Sequence, residues 1–217
     1  MAYYLRVKIC GVTNADDARA AALLGADAVG LNFYPLSPRY LYDLSVAADI
    51  VAALPPFVEP VAVFVEEPVP RMTEVADAIG RVRTVQWHGK RGRPLDGGPL
   101  QLIPAFNVED EEGLAEVRRH LDQCRAAGKL PPAILLDAHV SGMHGGTGRT
   151  APWDLLADFH PGVPVILAGG LTPDNVAEAV RTVRPYAVDV AGGVETAGRK
   201  DVEKMRRFIE NARGAFG

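Results

Sequence analysis

The chain has 217 residues, 48% hydrophobic and 23% charged, with a formal net charge of −4. That is too apolar and too evenly mixed for a disordered chain or a fibre, and the acidic balance argues against a nucleic-acid partner. Two cysteines, Cys10 and Cys124, imply no disulfide framework. With no signal peptide and no apolar run of about 18 residues, the expectation is a cytoplasmic protein without a membrane partner.

Short apolar runs alternate with helical periods along the whole chain. Val7–Cys10 reads as a first strand. Thr13 or Asn14 caps a helix over 15–24, with Asp16 at capping-box distance from Thr13 and Gly25 as the stop. A strand over 28–33 precedes a helix from Leu44 to Leu54, halted by Pro55-Pro56. Val61–Val65 is apolar throughout, as in a strand buried on both faces, and a helix from Pro70 to Ile79 follows it. Strands over 82–87 and 100–105 come next. Between them, the Gly- and Pro-rich run 88–99 cannot hold a normal helix, so the helix after the fourth strand is expected to be shortened or missing.

The helix over 110–127 carries Leu114, Val117, Leu121 and Cys124 on one stripe, which assigns Cys124 to the core. Strand six is 133–137 and strand seven 163–168. Thr172 and Pro173 open a helix to Val183, strand eight is 187–191, and a last helix runs from about 202 to 212. Eight strands alternating with helices predict an α/β protein, a single (β/α)₈ barrel over 1–217, with an open doubly wound sheet as the other option. Strand interiors read as apolar.

Active sites of such barrels form where the strands end. Cys10 ends strand one, and a thiolate there can serve as nucleophile or base, whereas a free cysteine is more often a small core residue. Asp137 follows three apolar strand residues, where a carboxyl is costly unless paired, solvated or used for proton transfer. Arg39, on the loop after strand two, is either a solvated arginine or a two-point clamp for a carboxylate. His88 either orients a substrate hydroxyl or packs at its strand end. Gly169-Gly170 and Gly192-Gly193 follow strands seven and eight, where bare backbone N–H groups bind phosphate in these barrels. The Gly145–Gly148 run, with Gly146 as a candidate ligand contact, is a lid or a turn. His139 and His144 show no metal-ligand spacing, so no metal is expected.

Lys8-Ile9-Cys10-Gly11-Val12-Thr13 resembles the N-terminal signature of phosphoribosylanthranilate isomerases. So do Phe33–Tyr40, Val85-Gln86-Trp87-His88-Gly89, Leu135-Leu136-Asp137, Gly145–Gly148 and Leu167-Ala168-Gly169-Gly170-Leu171, in order along the chain. The resemblance implies a single barrel without a cofactor that performs an Amadori rearrangement of N-(5′-phosphoribosyl)anthranilate in tryptophan biosynthesis. It implies Asp137 as general acid, Cys10 as general base, Arg39 on the anthranilate carboxylate and the glycine pairs on the 5′-phosphate. The partner is then a small-molecule substrate, the protein a monomer or homodimer. One departure stands out: Ala191-Gly192-Gly193-Val194 occupies the place of the family's usual Ser-Ser-Gly-Val.

Three other functions fit the pattern less well. A related phosphoribosyl sugar isomerase of histidine biosynthesis resembles a barrel with Asp at the end of strand one, where this chain has Cys10. A thiamine phosphate synthase would need added acidic and basic residues for diphosphate and Mg²⁺. A degenerate barrel that binds a phosphorylated metabolite without turnover fits the missing serines but not Cys10 and Asp137.

Overall fold

The computed structural model describes residues 4–89, 96–138 and 153–215. Eight parallel strands close into a barrel in chain order: β1 (Arg6–Ile9), β2 (Ala28–Asn32), β3 (Glu59–Val65), β4 (Thr84–His88), β5 (Gln101–Asn107), β6 (Ile134–Asp137), β7 (Val165–Ala168) and β8 (Ala187–Val190). β8 pairs back onto β1 with Lys8 opposite Asp189. The helices around it are α1 (Ala15–Leu23), α2 (Leu44–Ala53), α3 (Val69–Ala78), α4 (Glu111–Ala126), α5 (Trp153–Ala157), α6 (Val176–Val183) and α7 (Val202–Gly214). The closed barrel is the expected one. Between β4 and β5 the described residues contain no helix, and residues 90–95 of that connection lie outside them.

Each strand's period of two sends alternate residues outward to the helices and inward to the barrel axis. Val7, Ile9, Val85, Leu136 and Val188 belong to the large core beneath the helices. Ile103, Ala105, Leu135, Ile166, Ala168 and Ala187 form a second, interior cluster. That parity also turns Lys8, Gln86 and Asp189 inward, and all three are buried. The barrel interior is therefore not purely apolar, contrary to the sequence reading. A buried ammonium and a buried carboxylate persist there because they neutralise each other. The same parity, one step further along the strands, brings Cys10, His88 and Asp137 to the interior side of the rim.

Local chemistry moves several boundaries. Asn14, not Thr13, caps α1: its Oδ1 accepts from the Asp17 N–H at 2.8 Å and its amide donates to the Asp17 carboxylate at 2.8 Å. The pair sits one residue on from Thr13 and Asp16, and its return bond comes from the Asn14 side-chain amide where a capping box would use the N-cap backbone N–H. α6 begins at Val176 rather than Pro173. The Asn175 side chain folds back, accepting from the Thr172 N–H at 2.8 Å and donating to the Gly170 carbonyl at 3.0 Å, and this closes a turn ahead of the helix. Past β8, Gly192–Val194 form a single 3₁₀ turn, followed by the small hairpin β9 (Glu195–Thr196) and β10 (Arg199–Lys200). Neither that hairpin nor α5 is anticipated by hydrophobic periodicity, since two to five residues are too few to display one.

Candidate active site

Cys10 directly follows β1, and its N–H donates to the Val190 carbonyl at 2.8 Å, which docks it against β8. Cys10 is only 8% exposed. Two residues earlier on the same face, the Lys8 ammonium donates to Asp189 Oδ1 and to Gln86 Oε1, each at 2.9 Å. The Gln86 amide in turn lies 2.9 Å from His88 Nε2. Burial pushes the Cys10 thiol up; the nearby Lys8 charge pulls it down and Asp189 pushes it up again, and it ends above the ordinary thiol value. For Lys8 burial works the other way, but Asp189 and Cys10 outweigh it and hold the ammonium above its ordinary value.

Arg39 crosses the mouth of the barrel from the loop after β2. It runs over Gly11, whose φ is +70° and where a Cβ would strike Arg39 Cδ. Its guanidinium meets Glu195 in a two-point ion pair, with Nε to Oε1 and Nη2 to Oε2 both at 2.6 Å. Lys200 adds a third bond to Glu195 at 2.7 Å and donates to the Ala191 carbonyl at 3.0 Å. Burial alone would push the Glu195 carboxyl up, but hydrogen bonds and charge from Arg39 and Lys200 hold it down at about 2.

A cavity of about 480 Å³ opens beside this pair. Arg39, Asp137, Gly169, Gly170, Gly192 and Gly193 are all among its lining residues, so six of the nine sequence candidates share one concavity. The glycines are there for space and conformation. Gly169 and Gly170 have φ of +94° and +61°, and a Cβ on Gly193 would run into the Leu171 carbonyl oxygen, so the two glycine loops touch backbone to backbone. Cys10 lies beside this lining, within charge–charge reach of Arg39 and Asp189. His88 is set apart: through Gln86 it reaches Lys8, and it lines a different recess with Glu66, Asn107 and Glu116. Gly146, with His139, His144 and the rest of the 145–148 run, lies outside the described residues. Cys124 sits in the core stripe of α4, as expected, with its sulfur 3.4 Å from His120 Nε2.

A sequence profile of the N-(5′-phosphoribosyl)anthranilate (PRA) isomerase family matches residues 7–211. The chain belongs to this family. It is 46% identical over 212 residues to the N-(5′-phosphoribosyl)anthranilate isomerase of Geobacter sulfurreducens, covering 97% of this chain and 99% of the relative. The crystal structure of the Thermotoga maritima phosphoribosyl anthranilate isomerase superposes with a TM-score of 0.81 at 37% identity, over 97% of this chain and 99% of that one. A phosphoribosyl anthranilate isomerase in complex with reduced 1-(o-carboxyphenylamino)-1-deoxyribulose 5-phosphate superposes with a TM-score of 0.79 at 35% identity, over the same shares.

In this member of the phosphoribosylanthranilate isomerase family, five polar groups around the site received no role from the sequence motifs, although Lys8 and Gln86 lie within two of them: Lys8, Gln86, Asp189, Glu195 and Lys200. Lys8 and Asp189 did carry a signal, since each is a charge flanked on both sides by apolar strand residues at the interior parity. Glu195 and Lys200 lie in an ordinary polar stretch and carried none. Among the described residues no group of three or more His, Cys, Asp or Glu side chains is arranged to hold a metal ion, and no helix is long and apolar enough to cross a membrane.

Proposed function

We propose that the chain catalyses the Amadori rearrangement of N-(5′-phosphoribosyl)anthranilate to 1-(2-carboxyphenylamino)-1-deoxyribulose 5-phosphate, a step of tryptophan biosynthesis. The observation that carries this reading is that Asp137 lines the glycine cavity together with Arg39, while Cys10 stands beside it at the end of β1. The complexed relative was crystallised with a reduced form of this product.

Asp137 is the general acid. It gives its proton to the furanose ring oxygen as the C1′–O bond breaks, and the nitrogen lone pair forms the Schiff base. The Cys10 thiolate takes the proton from C2′, and the electrons of that C–H bond move into the conjugated system to give an enol-amine. Tautomerisation then yields the ketose. One proton enters from Asp137 and one leaves to Cys10, so the rearrangement is redox-neutral overall and draws on no cofactor. Arg39 holds the anthranilate carboxylate through the guanidinium edge that Glu195 leaves open. Gly169, Gly170, Gly192 and Gly193 hold the 5′-phosphate with backbone N–H groups. Their cavity, at about 480 Å³, falls within the usual range for small-ligand sites.

The test is the loss of substrate fluorescence when purified protein meets freshly made N-(5′-phosphoribosyl)anthranilate, with Asp137→Asn as control. Loss with the native protein alone establishes both the isomerase and its acid. No loss with either protein overturns the reading and leaves a degenerate binder or an enzyme for another phosphorylated substrate.

A further inference from the structure

The reading above requires Cys10 to be a thiolate when it takes the C2′ proton, yet its thiol is buried, and burial opposes that charge. Something beside the sulfur must offset the cost. Lys8 has three ammonium donors. Two are taken, by Gln86 Oε1 and Asp189 Oδ1 at 2.9 Å. The sulfur and the ammonium converge over Gly30: a Cβ built there would lie 2.7 Å from Cys10 Sγ and 3.1 Å from Lys8 Nζ. Glycine at position 30 leaves that space to the two side chains, and its φ is not in the left-handed region, so room alone calls for it.

We infer that Lys8 is the positioning residue of the base: its third N–H holds the Cys10 sulfur and stabilises the thiolate, while Gln86 and Asp189 fix the ammonium in place. The inference rests on the isomerase reading for its purpose, but not for its geometry. Other charges face the sulfur too. Asp189 on β8 opposes the thiolate. Lys200 on β10 favours it, as does Arg39 from the loop after β2, and both of these are committed to Glu195. Lys8 is paired too, to Asp189, but it differs from them in place: it shares the interior face of β1 with Cys10, and its ammonium meets the sulfur over Gly30.

The measurement is the ultraviolet absorbance of the thiolate against pH, each protein read as its difference from the matching Cys10→Ser variant. Lys8→Met should raise the midpoint of Cys10 by about one pH unit or more, the usual effect of losing an opposite charge at this range. Because Lys8→Met strands a buried carboxylate, Lys8→Met/Asp189→Asn is measured with it; the double variant also lacks the N–H held on the sulfur, so the midpoint still rises. Gly30→Ala, which wedges the pair apart with its charges intact, should raise it as well. In each folded variant the pH at which turnover reaches half its maximum moves upward by the same amount, because a base acts only when deprotonated. At a fixed pH below the midpoint, one unit is a tenfold loss of rate. An unmoved midpoint in any folded variant lacking Lys8 overturns the inference. Native protein whose thiol responds as described but which does not consume N-(5′-phosphoribosyl)anthranilate overturns the isomerase reading instead.

Discussion

Arg39 and Glu195, 156 positions apart in the chain, form a two-point ion pair with both bonds at 2.6 Å. The pair joins the loop after β2 to the hairpin after β8 across the barrel mouth, and Lys200 anchors its acidic member from behind. A guanidinium gripped along its Nε–Nη2 edge cannot rotate, so its remaining N–H groups point in one direction without further loss of entropy.

Glu195→Gln should therefore weaken substrate binding more than chemistry. The expected outcome is a KM for N-(5′-phosphoribosyl)anthranilate raised by about tenfold, or about 1.4 kcal/mol, with kcat changed by only a few-fold. Steady-state kinetics check it. A fall in kcat at constant KM would mean that Glu195 acts on the reacting atoms and not through Arg39.

The same carboxylate has a signature in acid. Its pKa, near 4.5 when unpartnered, is held at about 2 in the fold. Between these values the unfolded chain binds the proton and the folded chain does not, so stability falls as pH falls. The contribution is complete above about pH 4.5 and is lost as pH drops through about 2. Thermal melts at pH 5 and pH 3 should show a smaller drop in Tm for Glu195→Gln than for the native protein.

Removing either proposed proton carrier should leave the barrel standing. Cys10→Ser and Asp137→Asn are near-isosteric, and each is expected to lower turnover by ~10²–10⁴ or more. Near-native turnover in a folded variant would refute the role given to that residue; circular dichroism supplies the control for folding.

The two glycines after β8 should respond in opposite ways. Gly193→Ala drives a methyl group into the Leu171 carbonyl and is expected to cost ~1–3 kcal/mol, visible as a Tm lower by several degrees. Gly192 tolerates a Cβ, whose nearest neighbour would be Arg39 Nη2 at 3.4 Å. Gly192→Ser, which restores one hydroxyl of the family's usual Ser-Ser-Gly-Val, should keep the Tm and lower KM by about tenfold or more, the worth of one hydrogen bond to a charged group. Melts and kinetics on the two variants separate space from affinity.

The barrel was legible because each strand carries a run of apolar residues and each helix a stripe, both local patterns. The places of Cys10, Asp137 and the glycine pairs at the strand ends were legible because they interrupt those runs. The start of α6 was not, since it depends on how the Asn175 amide folds back onto Thr172 and Gly170. Nor was α5, too short to show a period.

By itself the sequence determined the order of the strands, the core stripe that holds Cys124, and which residues stand at strand ends. Closure of the barrel decided the rest. Lys8, Gln86 and Asp189 come from β1, β4 and β8 and meet only when parity turns all three inward, so a charge that looks costly in its own strand finds its partner in another. Arg39 finds Glu195 for the same reason. Pairing energy depends on distance in space, and separations of 78 to 181 positions along the chain carry no local trace of it.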